Sequence, residues 1–568
     1  WHPARRLASR HCHPIAVRAR PAPRAPRAAF TAIGSRAVGA ARAATRVLPS
    51  PTMSEAAAAL ALSRAVEHIR VPIELFDDPR TGELTARLAD DVPADAAVLA
   101  RLPATYPEWL GDRAFAAAHG ARFAYAAGAM ANGIASPALV AALADHGMIG
   151  FFGAAGLGLP AILDGLDALA RRLPAATWGA NLIHNVQDDR REMATVELFL
   201  RMGVRCVSAS AFMQLTPAVV LYAAKGLYRG GDGQIVRSGR IFAKVSRDEI
   251  ARHFLLPAPE QMLRALVAEG RLTAAEAALA AEVPIAEDIT AEADSGGHTD
   301  NRALTVLLPR LIALRDEISE QYGYSVLPRV GAAGGIGTPA AVAAAFAAGA
   351  AYVLTGSVNQ SALESGLSED GRNLLALAQA TDVATAPAAD MFEMGVTVQV
   401  LKRGTMFAQR GQRLTDFYRK YPSFDAAPAD EVASLEKTVL RRSIPEIWAE
   451  TKEFFATRDP REVVRAEADP HHLMALVFRW YLFSGAQWAR EGDTDRRGDY
   501  QIWCGPAMGG FNDWVKGSFL EPVGARTTGQ IALNLLEGAA TVTRAGHLRT
   551  AGVQLPPGAF DFRPRPLG

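Results

Sequence analysis

Cysteine is scarce. The 568-residue chain has three, Cys12, Cys206 and Cys504. None forms a CxxC pair, which argues against a disulfide framework and a structural zinc site and fits a reducing cytoplasm. Long apolar runs are missing too. The longest, Gly337 to Leu354, is near span length but poor in Leu and Ile and split by Gly349. It reads as a helix followed by a buried strand, and no transmembrane helix is expected. No GxGxxG follows the first strand and no GxxxxGK[ST] occurs, so neither common nucleotide-binding loop is present.

Acid is absent from residues 1–52, which hold ten arginines. Without them, 50 basic residues face 59 acidic ones, and the remaining body is mildly acidic, a poor nucleic-acid binder by field alone. Arg-rich openings of this kind suit targeting peptides. Met53, however, opens "MSEAAAALAL" as a natural start would, so 1–52 reads as upstream sequence, a disordered Arg-rich extension. Residues 53–120 hold a helical run and a turn at "DDPRTGEL" between short strands, a small N-terminal cap.

What is present is a repeat. "GIASPALVAALADHGM" (133–148) and "GIGTPAAVAAAFAAGA" (335–350) match without a gap, and "LTPAVVLYAAKGL" (from Leu215) echoes them. Ser136, Thr216 and Thr338 are N-cap residues, each followed by Pro at the first helical position, and Gly147, Gly226 and Gly349 are helix stops. Short apolar strands lie between, at "MIGFFG", "TWGANLIH", "RCVSASA", "RIFAKVS", "PIAEDITAEA", "SVLPRVGAAGG" and "AYVLTGS". Strand then helix, about eight times over 121–400, predicts an α/β fold, a (β/α)8 TIM barrel, with an open doubly wound sheet as the alternative. Residues 247–283 are helical in pattern, an insertion that reads either as a lid over the mouth or as decoration of a barrel helix. Residues 401–568 are read as a helical C-terminal domain, in which most of the tryptophans fall.

Barrel chemistry gathers at the C-terminal strand ends. There stand the small residues of "YAAGAMANG" with Ala129 and Met130, the amide of Asn181, Ser208, and "EADSGGHTDNR" with Gly296, Gly297 and His298. Gly-Gly lets backbone approach a ligand, and an imidazole can deliver a proton near neutral pH. Two late turns, "AAGGIG" with Gly334 and Gly335 and "LTGSVNQ" with Gly356 and Ser357, offer backbone N–H groups to a phosphate. Tight strand-to-helix turns are the plainer reading of both. "HCH" (11–13) is read as fortuitous. "DPHHL" (469–473) is read as structural, because adjacent helical histidines diverge.

These stretches, with "GANLIHN", "RCVSASAFMQLTPAVV" and "ATAPAADMFEMGV", resemble the PfaD family of enoyl reductases of polyunsaturated fatty acid and polyketide synthesis, over about Met53 to Pro556. The resemblance implies an FMN-dependent oxidoreductase acting in trans on a 2-enoyl thioester held by acyl carrier protein domains, with NADPH as the hydride source. It implies Ala129 and Met130 against the flavin ring, Asn181 at its polar edge, and Gly334, Gly335, Gly356 and Ser357 at the phosphate. It also implies His298 as the donor of the α-carbon proton or the group that steadies the enolate oxygen. Gly296 and Gly297 are expected to clear space for the cofactor. Ala291 stands where many barrel relatives place Gln or Glu, and Asp294 is assigned first to the turn. Lys402, Arg403, Arg410, Arg413, Arg419 and Lys420 are candidates to meet an acidic carrier protein, with a solvated helix face as the stronger alternative. A homodimer is compatible; no metal, nucleic acid or membrane is expected. A nitronate monooxygenase-type oxidase and a non-catalytic scaffold protein are the alternative functions.

Overall fold

The computed structural model describes residues 53–184 and 189–568. The Arg-rich opening and its "HCH" lie outside the described residues. Eight parallel strands close into a ring: Tyr125–Ala127, Ile149–Phe152, Gly179–Ile183, Cys206–Ser210, Arg240–Val245, Asp288–Glu292, Arg329–Ala333 and Val353–Thr355. Each pairs with its successor, and the last closes on the first through Val353 opposite Tyr125. The closed ring, not the open sheet, is therefore the architecture.

The repeated phrase does what its residues dictate. Ser136, Thr216 and Thr338 accept from the backbone N–H three residues on and start the helices Pro137–Asp145, Pro217–Ala224 and Pro339–Ala347. Gly147 and Gly349 end the first and last of these at φ +73° and +96°, conformations a side chain rarely adopts.

The ring's lower interior is filled by rings of another kind. Phe115, on the helix Arg113–His119, stacks on Tyr352 at 4.6 Å and meets Phe242 edge-on. Beside them Asp288 accepts from Arg329 and pairs with His119 Nε2 at 3.0 Å, all buried. Burial works against the Asp288 carboxylate, but His119 and Arg329 outweigh it and hold its carboxyl below the usual range. The interior is thus packed in its lower half; a cavity of 310 Å³ beside His119, Arg205 and Arg240 lies on the lower face, and a larger one opens at the mouth.

The insertion sits elsewhere than over the mouth. Its helix Asp248–Leu255 packs on the barrel helix Leu304–Tyr322, and Glu260–Ala268 and Ala274–Ala280 pack on Pro217–Ala224. Glu276 fixes this outer layer by accepting from Gly226 N–H. Only Arg247 and Ile250 of the segment line the central cavity. It is outer-wall decoration, and the lid reading is set aside.

A second core is helical: Phe407, Leu414, Phe417, Ile447, Met474, Phe478 and Tyr481, from helices including Phe407–Lys420, Ile444–Arg458 and Pro470–Glu491. Ala386, Phe392, Val398 and Val400 belong to the same core. Three of these, Ala386, Val398 and Val400, lie on the antiparallel hairpin Val383–Pro387 and Thr397–Leu401. The boundary expected at 400/401 therefore falls inside a strand, because hairpin and helices share one core. The N-terminal cap is the helix Met53–Glu67 and a three-stranded sheet; it packs on the last helix, Thr528–Thr550, through Leu62, Val66 and Leu75 against Ala545 and Leu548.

Candidate functional site

Above the aromatic plug the mouth holds a cavity of 730 Å³, within the range of small-molecule sites. Ala129, Met130, Asn181, Gly296, Gly297, His298, Gly334, Gly335, Gly356 and Ser357 all line it. Ser208 does not. Its side chain is fully buried with Oγ unpartnered, while its carbonyl accepts from Asn181 Nδ2 at 3.2 Å. Asn181 also donates to Ser210 Oγ at 3.2 Å, so the amide is fixed by the neighbouring strand.

The two glycines before the histidine do different work. A Cβ on Gly296 would stand 2.7 Å from the Cys504 backbone N, so this residue makes room for a loop from the far end of the chain. Gly297 adopts φ +86°, and nothing lies within 4 Å of where its Cβ would be. It turns the chain beside the open cavity. His298 then pairs with Val398 of the hairpin in a short antiparallel strand. The imidazole is therefore seated by the helical region's core.

Its acidic neighbour is not Asp294. Asp294 Oδ1 accepts from Gln399 Nε2 at 2.8 Å, tying the turn to the hairpin. His298 Nε2 instead faces Asp390 Oδ1 at 3.7 Å. Burial disfavours the Asp390 carboxylate, but the neighbouring imidazole prevails and keeps its carboxyl below the usual range; at 3.7 Å the pair is not hydrogen-bonded, and Nε2 is buried without a hydrogen-bond partner.

The late turns differ in detail. Gly334 (φ +85°) has its absent Cβ 2.6 Å from the Ala293 carbonyl carbon, a close approach of two strand ends. Gly335 (φ +71°) and Gly356 have nothing within 4 Å at that position, so both present bare backbone to the cavity. The far end of the chain roofs this wall. Gly505 N–H donates to Ser357 Oγ at 3.1 Å, Gln360 Nε2 donates to the Trp503 carbonyl at 2.5 Å, and Gln360 Oε1 is buried without a partner. Bare glycine backbone and a buried acceptor without a partner along this wall fit a phosphate-tailed, hydroxyl-bearing planar group such as FMN.

Several residues of the wall went unassigned in the sequence. Lys244 Nζ pairs with Glu292 Oε1 at 2.7 Å, and both line the cavity. A charge at the C-terminal end of an apolar strand, as in "RIFAKVS", was the available signal. His184 also lines it, held by Glu192 at 3.0 Å and stacked on Phe212 at 5.2 Å. Asp390 and Gly505 carry no local signal, since only the tertiary fold brings them there. Cys504 is no nucleophile: burial pushes its thiol up to about 12.

Most of the six basic candidates are engaged within the chain. Arg403 pairs with Asp382, Arg410 with the buried Asp499, and Lys420 with Glu431, while Arg413 donates to Ser434 and Thr438. "DPHHL" is structural: Asp469 caps a helix, His471 stacks on Tyr418 and His472 pairs with Glu462. Among the described residues there is no cluster able to hold a metal, and no helix is long and apolar enough to cross a membrane.

Comparison with known proteins gives relatives of one kind. The chain is 46% identical over 450 residues to a component of the polyunsaturated fatty acid synthase of Thraustochytrium, covering 78% of this chain and 30% of that protein. It is 43% identical to the polyketide biosynthesis protein PksE of Bacillus subtilis, covering 76% of this chain and 56% of the relative. It therefore spans only part of the length of these relatives. Among solved structures, the enoyl reductase domain of MlnA from the macrolactin cluster of Bacillus amyloliquefaciens is similar at 35% identity and TM-score 0.74, covering 78% of this chain and 99% of that one. Residues 421–500 match the family model of the inserted helical domain of [acyl-carrier-protein] S-malonyltransferase.

Proposed function

From the premise that the chain belongs to the PfaD-like enoyl reductase family of polyunsaturated fatty acid and polyketide synthases, the family of the MlnA domain, we propose that it reduces the 2,3 double bond of an enoyl thioester presented by an acyl carrier protein. The observation that carries this reading is the placement of His298 on the wall of an open barrel mouth whose other wall is bare glycine backbone.

Gly335, Gly356 and Ser357 would hold the phosphate of FMN, with Gly334 shaping the turn. The amide of Asn181 and the backbone of Ala129 and Met130 would face its ring. The chemistry such a flavin supplies is hydride delivery to the β-carbon, with NADPH as the source of electrons.

The chain's own residues do the rest. Asp390, 3.7 Å from Nε2 of His298, places a carboxylate beside the imidazole and would help orient it toward the substrate. A proton from the imidazole to the α-carbon completes saturation, and solvent restores it. The aromatic plug closes the lower end, so substrate enters and product leaves by the mouth.

The test is the absorbance spectrum of the purified full chain, followed by NADPH titration without air and addition of a crotonyl thioester. A flavin spectrum bleached by NADPH and restored by the thioester is expected. A colourless protein points to the scaffold reading, and oxygen uptake with an alkyl nitronate in place of enoyl reduction points to the oxidase.

A further inference from the structure

The glycine turns and their N–H groups supply one part of the cavity lining. Phe212, Met213, Ile250, Met391, Met394 and Val396 supply an apolar part of it, together with charged residues such as Arg247 and Asp390. Four of the chain's 12 methionines, Met130, Met213, Met391 and Met394, line this one cavity.

Two of them stand out. Met213 is 54% exposed and Met394 is 67% exposed, although both belong to the wall of a deep site. Each is fixed on ordered backbone. Met213 follows Ala211, a non-glycine residue at φ +59°, and Phe212, which is buried against His184 and meets Phe254 edge-on at 5.9 Å. Left-handed backbone at a residue with a Cβ is costly and persists only where the surroundings enforce it. Here it turns Phe212 inward and leaves Met213 at the rim. Met394 ends the turn Phe392–Met394, whose Phe392 is anchored in the helical core.

We infer that Met213 and Met394 are the rim of an open-ended lane for the acyl tail of the substrate, and that this lane favours longer tails without excluding any. The occupant is a linear apolar acyl chain; its thioester lies by His298 and its tail runs out between the methionines. Flexible, polarisable thioether side chains adapt to tails of different shape. Because both rim residues are more than half exposed, the lane ends in solvent and imposes no upper length. This rests on the enoyl thioester reading and adds where the tail lies.

The test is isothermal titration of the full chain with saturated acyl thioesters of N-acetylcysteamine carrying four to ten carbons. Full burial strengthens binding about fourfold per methylene. Walls that are half exposed give less, so Kd is expected to fall about tenfold or more across the series, with no loss at the longest tail. Met213→Gln with Met394→Gln should abolish most of that fall. Met213→Leu with Met394→Leu should keep it, which separates a lost lane from a damaged fold. A wild-type Kd independent of length, or a Gln double variant with the wild-type trend, overturns the lane. Length-dependent binding without turnover of the enoyl form would sink the reductase reading and leave the lane standing.

Discussion

Gly296 and Gly505 meet backbone to backbone: a Cβ on Gly505 would lie 3.0 Å from the Gly296 amide nitrogen. One belongs to the loop after the sixth barrel strand, the other to the loop just before the helix Ala507–Val515. Their contact brings the Gly505 amide over Ser357. Gly296→Ala forces this loop away. Overpacking of this kind costs about 1–3 kcal/mol. A lowered melting temperature and weakened retention of FMN, read from the flavin absorbance that survives gel filtration, are expected together.

His298→Ala is expected to keep flavin bound and to lower kcat by about 10²–10⁴-fold, the usual contribution of a proton-transferring side chain. Loss of flavin with turnover per bound flavin unchanged would assign His298 to binding instead. Asp390→Asn should give a smaller loss, about tenfold for the charge removed from beside the imidazole. KM should stay unchanged and Asp390→Glu should recover part of the rate.

The ring and its caps were legible because the sequence writes them locally. Ser136-Pro137, Thr216-Pro217 and Thr338-Pro339 specify helix starts with no help from the rest of the chain. The glycine turns and His298 were legible for the same reason, as short phrases at strand ends. Asp390 and Gly505 were not, because their roles depend on strands from distant segments pairing with the loop Gly296–His298. The choice between lid and decoration for 247–283 stayed open for a related reason: amphipathic helices signal that they cover something, and the pattern does not say which face of the barrel.

Ser208 distinguishes a cofactor contact from a packed wall. Its Oγ is buried and unpartnered, so removing the hydroxyl relieves an unmet hydrogen bond. Ser208→Ala is expected to leave the melting temperature unchanged or slightly raised, and flavin affinity unchanged. A drop in flavin affinity, measured by quenching of FMN fluorescence on titration, would place the hydroxyl in the cofactor site after all.

Acid should loosen the mouth before the barrel. The Arg247 guanidinium beside Asp300 holds that carboxyl down at about 2. A carboxylate depressed on folding stabilises fully above its unfolded value, near 3.9, and the contribution is lost as pH falls from there through about 2. Asp300→Asn removes this contribution. The wild type should melt higher than the variant at pH 6, and the gap should narrow as pH drops below about 4. A gap that does not change with pH would assign the pair a packing role.

The hairpin strand Thr397–Leu401, which seats His298, has a temporal consequence. A nascent chain extended only through Ala376 has all eight barrel strands, yet it lacks Asp390, the partner strand of His298 and the loop that covers Ser357. The imidazole has no fixed seat until the hairpin has left the ribosome, and the barrel itself also waits, because the helices Ala507–Val515 and Thr528–Thr550 supply Met508, Phe511, Leu535 and Ala539 to its core. Chamber and barrel are therefore finished together, by segments made long after the eighth strand, and a chain interrupted before them would hold neither.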